Sequence, residues 1–390
     1  MSTVRHLLVT NDFPPKIGGI QQYLWELWRR LGSDGVTVYC TPHDGSVAFD
    51  TAQPFRIERS PEPVLGPYPW LVERIDRLAD EVEADIVLLD PAVPLGLIGP
   101  HLAKPYGVIL HGAEVAIPGR LPGGKQALRR VLNSASLVIS AGQYALDEAE
   151  RCAGRVLPSV VIPPGVDIER FRPADADRRS QLRADLGLGP DQLLVAIVTR
   201  LVPRKGMHTL IEAAAILATH HPEVVVRIGG SGRDHARLQR RIRRLGAPVE
   251  LLGRLDDEAV VDLYQAADVM CMPCNQRWAG LEQEGFGIVF LEAGATGLAV
   301  VAGRSGGAAE AVEHGVTGLV VDRPDDPHAV ADALRRLVED ADRRRCMGVA
   351  ARDRIEATFS YDHLAARLRC AIEDAVEKTS PVDEERHQDP

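Results

Sequence analysis

The sequence is poor in cysteine, methionine and aromatic residues. There are six cysteines and five methionines in 390 residues, and Phe, Trp and Tyr together make 5%. Six scattered thiols (Cys40, Cys152, Cys271, Cys274, Cys346 and Cys370) cannot staple a chain of this length, so a disulfide scaffold is excluded. They read as reduced thiols of a cytoplasmic protein. The one Cys-x-x-Cys, Cys271-Met272-Pro273-Cys274, has no second pair at zinc-ligand spacing and closes an apolar strand, so both thiols are expected to be structural. No stretch approaches the ~18 apolar residues of a membrane span. The first apolar run, Leu7–Thr10, is too short for a secretory core, so no signal peptide is expected. Basic excess is missing too: 45 Lys and Arg stand against 55 Asp and Glu, a net charge of −10. That balance excludes a general nucleic-acid binder but leaves room for a local basic patch facing an anionic membrane or substrate.

What is present is ordinary globular composition, 45% hydrophobic, at a length that suits two cores better than one. Short Val/Ile/Leu runs alternate with amphipathic segments. The strand candidates of the first half are Leu7–Thr10, Val36–Cys40, Ile86–Leu89, Gly107–Leu110, Leu137–Ser140 and Val160–Ile162. Those of the second half are Leu193–Val198, Val224–Ile228, Val249–Leu252, Val269–Met272, Ala299–Ala302 and Gly318–Val321. Helical periodicity marks Ile20–Leu31, Trp70–Glu83, Met207–Thr219, Val330–Glu339 and Tyr361–Glu377. Near-continuous apolar strands alternating with helices predict parallel sheets covered on both faces: an α/β protein of two doubly wound, Rossmann-like domains. Pro163-Pro164-Gly165 marks the boundary, giving domains over 1–165 and 166–358. A closing helix spans 359–378, and the polar tail 379–390 is expected to be disordered.

In open parallel sheets ligands bind beyond the carboxyl ends of the strands, and several unusual segments fall there. Asn11 to Ile20, with Gly18-Gly19, leads from a strand into a helix and lets a backbone approach closely, although alone it is equally a tight turn. Arg200 and Lys205 flank a turn after Leu193–Val198, where two fixed cations could neutralise a diphosphate without a metal. Gly229-Gly230-Ser231-Gly232 and Ser305-Gly306-Gly307 are further glycine-rich turns after strands, and His111-Gly112 follows another. The most informative segment is Glu284-Gly285-Phe286-Gly287-Ile288-Val289-Phe290-Leu291-Glu292. Each of its two carboxylates suits a sugar diol, and the loop N–H groups with a helix N-terminus suit the phosphates between the sugars. Ribose, diphosphate and hexose in a row make a sugar nucleotide.

This Glu-x7-Glu segment, together with Arg200…Lys205-Gly206, Ser305-Gly306-Gly307, Gly18-Gly19 and His111-Gly112, resembles the signature of retaining glycosyltransferases of family 4. The resemblance runs from about Val4 to Glu377 and includes the closing Phe359-Ser360-Tyr361-Asp362. It implies the GT-B fold, with the two sheets facing a central cleft and the last helix crossing back to the first domain. Thr10-Asn11-Asp12-Phe13-Pro14-Pro15, Met272-Pro273-Cys274 and Arg200 to Gly206 look closest to actinobacterial GDP-mannose-dependent phosphatidylinositol-mannoside mannosyltransferases. The chain departs from that group in a shortened loop around His43–Asp50 and in Ala113, where some relatives carry histidine.

Carried onto these positions, the resemblance implies that Arg200 and Lys205 hold the diphosphate and stabilise the leaving group. Glu284 would hold the hexose hydroxyls, with Gly285, Phe286, Gly287, Ile288 and Val289 presenting backbone. Glu292 would hold the ribose, Arg254 and Leu255 would border the base, and Gly18, Gly19 and Gly232 would approach the phosphates. His111 would sit near the transferred sugar, and Asp12 and Gln21 are the acceptor candidates. No cofactor is expected, because the nucleotide sugar is itself a substrate, and no metal, because two fixed cations can neutralise the diphosphate and no carboxylate cluster suggests a metal site. The implied reaction moves α-mannose from GDP-mannose to a phosphatidylinositol-mannoside-type glycolipid. Two alternatives are another donor (UDP-glucose or UDP-N-acetylglucosamine) or a soluble acceptor, and a non-catalytic sugar-nucleotide-binding protein. A lipid acceptor implies some contact with the inner face of the cell membrane, and the basic cluster Lys125, Arg129 and Arg130 on a helix is either a site of such peripheral attachment or an ordinary solvated face.

Overall fold

The computed structural model describes residues 4–116, 118–120, 123–277, 284 and 286–379. The chain forms two compact units, one of Met1–Pro164 with Tyr361–Pro390, the other of Gly165–Ser360. The tail lies, beyond Thr379, outside the described residues.

The first unit holds seven strands: β1 (His6–Thr10), β2 (Val36–Cys40), β3 (Arg56–Arg59), β4 (Ile86–Asp90), β5 (Tyr106–Leu110), β6 (Leu137–Ser140) and β7 (Ser159–Val161). They form one parallel sheet in the order β3-β2-β1-β4-β5-β6-β7. Side chains alternate across a strand, so one strand feeds two cores. Leu7 and Val9 pack with Leu71, Ile75 and Leu128 on one face. Leu8 packs with Leu24, Trp28, Leu364 and Leu368 on the other. The last two belong to the closing helix, Tyr361–Thr379, which lies along the helix Gly19–Leu31. Arg30 pins the pair, 2.9 Å from Asp362 and over the Tyr361 ring.

β3 was absent from the strand candidates. Its sequence, Arg-Ile-Glu-Arg, carries one apolar residue, which suffices because it is an edge strand with no fully buried residue. Its last residue ties the loops together: the Arg59 guanidinium donates to the carbonyls of Pro14 (2.6 Å) and Thr41 (2.9 Å) and pairs with Asp50 at 2.6 Å.

The second unit has β8 (Leu193–Val198), β9 (Val224–Gly229), β10 (Val249–Gly253), β11 (Val269–Met272), β12 (Ala299–Gly303) and β13 (Gly318–Val321). They form a parallel sheet in the order β10-β9-β8-β11-β12-β13 around a single large core. The charged stretch before β8 contains a helix, Ala176–Asp185, capped by Asp175 and anchored through Arg179 and Arg183 to Asp268 at 2.7 and 3.1 Å. Both sheets reverse their winding, between β1 and β4 and between β8 and β11, which is where such sheets open a crevice at their carboxyl ends.

Candidate active site

In the second unit, the turn after β8 closes as a short 3-10 segment, Pro203–Lys205, and places Lys205 in the interior. Gly206 makes this possible. Its φ is +75°, and a Cβ there would lie 1.9 Å from the Pro273 carbonyl oxygen. The turns after β8 and β11 therefore touch backbone to backbone, which only glycine permits. Across this contact the Lys205 ammonium lies 2.8 Å from Glu284 Oε2, both side chains being buried. Glu284 is held by its backbone: its N–H donates to Ser305 Oγ (3.1 Å), and its carbonyl accepts from Gly307 N–H (3.1 Å). The contact with Lys205 is ionic, for no donor among the described residues makes an aligned hydrogen bond to Oε2. A buried carboxylate with unused acceptor capacity is poised for a ligand hydroxyl.

Lys205 and Glu284, two of the residues expected to hold a sugar nucleotide, thus meet directly. Arg200 does not join them: it is exposed, and no ion-pair partner for it occurs among the described residues. Gly285 lies outside the described residues. Phe286 is buried with its ring 5.7 Å from that of Phe359, so any ligand contact it makes is through its backbone. Gly287 caps the helix Ile288–Ala295, whose N-terminus has no side-chain cap among the described residues and no acidic residue in its first turn, an arrangement suited to an anion. Ile288 and Val289 are half-buried there, and Gly232 and Arg254 are exposed at the carboxyl ends of β9 and β10, with Leu255 half-buried beside Arg254.

Glu292 stands one turn further along the same helix, close enough to act electrostatically on the buried Tyr264. Protein surrounds its carboxyl closely enough that burial pushes it up to about 7. Arg170 and Lys205 pull it down and Asp257 adds to the rise. The Tyr264 hydroxyl accepts from Val198 N–H at 3.3 Å and is raised far above its ordinary range, by burial first and by Glu292 second. The Cys271 and Cys274 thiols are both buried and raised by burial, Cys274 to about 12, which keeps them protonated and inert. Among the described residues no group of three or more His, Cys, Asp or Glu is placed to hold a metal ion.

In the first unit, the loop after β1 carries Asp12, whose Oδ1 accepts from Lys16 Nζ (2.7 Å) and Gln21 Nε2 (2.5 Å). The two acceptor candidates, Asp12 and Gln21, are therefore in direct contact. Gln21 folds back over Gly18, where any Cβ would meet its Oε1 at 2.0 Å, whereas Gly19 has open space at that position. His111, after β5, bonds through Nε2 to Asp90 Oδ1 at 2.6 Å, and its ring meets that of Tyr23 edge-on at 5.9 Å. Burial lowers the imidazole pKa, but the charge and hydrogen bond of Asp90 outweigh it, with Glu114 and Asp12 adding, and the net direction is upward.

The sequence reading missed Asp90 and Thr10. Both end strands at the carboxyl edge, yet Asp90 looked like the first residue of a loop because the apolar run stops at Leu89. A carboxylate directly ending a central strand was the available signal.

Two family models cover most of the chain: Glycosyltransferase Family 4 over residues 17–170 and Glycosyl transferases group 1 over residues 178–354. The chain is 40% identical over 377 residues to a GDP-mannose-dependent alpha-(1-6)-phosphatidylinositol monomannoside mannosyltransferase of Mycobacterium tuberculosis, covering 93% of this chain and 97% of that one. It is 36% identical over 369 residues to the GDP-mannose-dependent monoacylated alpha-(1-6)-phosphatidylinositol monomannoside mannosyltransferase of Corynebacterium glutamicum, covering 93% and 96%. Among solved structures it resembles Anabaena HepE in complex with UDP and glucose (TM-score 0.75, 25% identity, covering 95% and 100%). It also resembles WaaG, a glycosyltransferase involved in lipopolysaccharide biosynthesis, in fold (TM-score 0.67, 20% identity, covering 94% and 99%).

Proposed function

The chain belongs to the family 4 glycosyltransferases of the GT-B fold, and from that premise we propose that it transfers α-mannose from GDP-mannose to a phosphatidylinositol-mannoside-type glycolipid, with retention of configuration. The observation that carries this reading is the buried Lys205–Glu284 pair beside the open helix N-terminus at Gly287. A buried cation, a buried carboxylate suited to sugar hydroxyls and a nearby helix N-terminus match a diphosphate joined to a hexose.

In the proposed step the bond from the sugar C1 to the diphosphate oxygen breaks. The acceptor oxygen bonds to C1 from the same face, and its proton passes to the departing diphosphate. Negative charge grows on the diphosphate, so Lys205, Arg200 and the helix N-terminus stabilise the transition state more than the ground state. Glu284 fixes the hexose hydroxyls and Glu292 the ribose diol. Asp12, steered by Lys16 and Gln21, orients the acceptor hydroxyl, and His111 donates to a hydroxyl of the transferred sugar. Full-length similarity to mannosyltransferases named for phosphatidylinositol monomannoside supports donor and acceptor alike.

No helix among the described residues is long and apolar enough to cross a membrane. In the proposed reaction the lipid acceptor is met by peripheral docking. Lys125, Arg129 and Arg130 all face solvent on the helix Gly124–Ser134, which supports an anionic-lipid contact there.

A donor panel of GDP-mannose, GDP-glucose, UDP-glucose and UDP-N-acetylglucosamine with a lipid extract, scored for released nucleotide and labelled lipid, tests the proposal. Labelled lipid from GDP-mannose alone is the expected result. Turnover with a UDP-sugar, or only with a soluble acceptor, contradicts it.

A further inference from the structure

We propose that Asp90 is a positioning residue of the transfer reaction: it grips His111 by Nε2 and so presents Nδ1 to the reacting sugar. This rests on the assignment of His111 to the transferred hexose made above.

Asp90 ends β4 inside a run that is otherwise Ile-Val-Leu-Leu, and it is fully buried. A carboxylate there costs several kcal/mol of desolvation, and an apolar residue would serve the sheet better. Its surroundings show what it is held for. Oδ2 accepts from Thr10 Oγ1 at 2.6 Å, and Oδ1 faces His111 Nε2 at 2.6 Å. Thr10 is the cross-strand neighbour of Asp90 in the β1–β4 register. The Thr10 hydroxyl also accepts from Asp12 N–H at 2.8 Å, which leaves its single proton for Asp90 and fixes the carboxylate plane.

A carboxylate can only accept, so Nε2 carries its hydrogen whether the ring is neutral or charged. Nδ1 is then the variable position, bare in the neutral ring and a donor in the cation. The groups around the ring favour the cation. Asp90 comes from β4. Glu114, from the turn after β5, accepts from the His111 and Gly112 N–H groups. Asp12, from the loop after β1, is countered by Lys16 at 2.7 Å. Tyr23, from the first helix, offers only its ring, since its hydroxyl donates to the Ile162 carbonyl at 2.7 Å. Three carboxylates and one lysine therefore act on the imidazole and bias it toward the cation, the form in which Nδ1–H donates to a sugar hydroxyl. The Asp12 loop and the His111 ring share this anchor, which links the acceptor side to the sugar side through a single carboxylate.

Imidazole nitrogen NMR on the unmodified protein tests the geometry without any substrate. The ring should titrate above the ordinary 6.5, and its neutral form should be the Nε2–H tautomer. Titration at or below 6.5, or an Nδ1–H tautomer, overturns the proposal. Kinetics test the consequence. Asp90→Asn should lower kcat by ~30-fold or more with the donor KM within ~3-fold, and should move the alkaline loss of activity to lower pH. Asp90→Asn combined with His111→Ala should be no worse than His111→Ala alone, since one residue acts through the other. If the two losses multiply instead, the proposal fails. Thr10→Val, which keeps the charge but frees the carboxylate, should give a smaller kcat loss in the same direction and covers the case in which Asp90→Asn does not fold. Absence of turnover with GDP-mannose would count against the donor assignment, whereas the wrong tautomer counts against this inference.

Discussion

Replacing Glu292 by Gln should make the second unit more stable at slightly alkaline pH while weakening its hold on the nucleotide. Burial moves this carboxyl from an ordinary 4.5 to about 7. The sign follows from linkage: a group whose pKa is raised by folding contributes stability that is complete below the unfolded pKa and is lost as pH rises through the folded one. The window therefore runs from about 4.5 to about 7. At ~1.4 kcal/mol for each step of one in pKa, the ionised carboxylate costs at most ~3 kcal/mol above that window, and its partial exposure reduces this to ~1–2 kcal/mol. Glutamine keeps the shape and removes the charge. At pH 8 the variant should gain ~1–2 kcal/mol over the parent, a rise of ~3–6 °C in Tm for a unit of this size, and at pH 4.5 it should gain nothing. Nucleotide affinity should move the other way. Losing charge-assisted bonds to a ribose diol costs ~1.5–3 kcal/mol, or ~10–100-fold in Kd. Scanning calorimetry across pH, with and without GDP, reads both effects. A stability difference that does not change between pH 4.5 and 8, or unaltered nucleotide affinity, refutes the reasoning.

Lys205→Ala should cost ~3–5 kcal/mol of stability by leaving the Glu284 carboxylate buried without its cation, and should lower turnover by ~100-fold or more. Urea unfolding should show the Lys205→Ala, Glu284→Ala double variant to be less destabilised than the two single losses sum to, which marks the pair as coupled. Gly206→Ala should destabilise the second unit by ~2–5 kcal/mol and weaken donor binding, because the added Cβ forces the turns after β8 and β11 apart; an unchanged Tm would contradict the close approach. Neutralising Lys125, Arg129 and Arg130 to Gln should weaken binding to anionic vesicles by ~100-fold at ~1 kcal/mol per residue, and co-sedimentation insensitive both to salt and to these changes would remove that surface from consideration.

The parallel sheets were legible because most central strands are buried on both faces and so read as nearly continuous apolar runs. Val269–Met272 and Leu193–Val198 declare themselves with the bounds the structure shows. β3 did not, because an edge strand needs no such run, and the helix Ala176–Asp185 did not, because its anchorage is arginine to Asp268 rather than an apolar stripe. At the site, residue types following strands pointed to Lys205 and Glu284, and the structure brings those two together. What spacing cannot convey is pairing across distant segments. Nothing in the sequence near His111 announces Asp90, 21 positions away, and nothing near Glu292 announces its electrostatic partner Tyr264. Nor does a basic turn reveal which cation is interior: Lys205 is buried and Arg200 exposed, a difference made by the backbone contact at Gly206.

The most direct measurement is to incubate the purified chain with GDP-mannose and phosphatidylinositol monomannoside in anionic vesicles, and to determine the mass of the lipid product and the anomeric configuration of its new bond. The account predicts a lipid that has gained one hexose in α linkage, formed together with an equal amount of GDP. A β linkage, or GDP release without any change in the lipid, would contradict it.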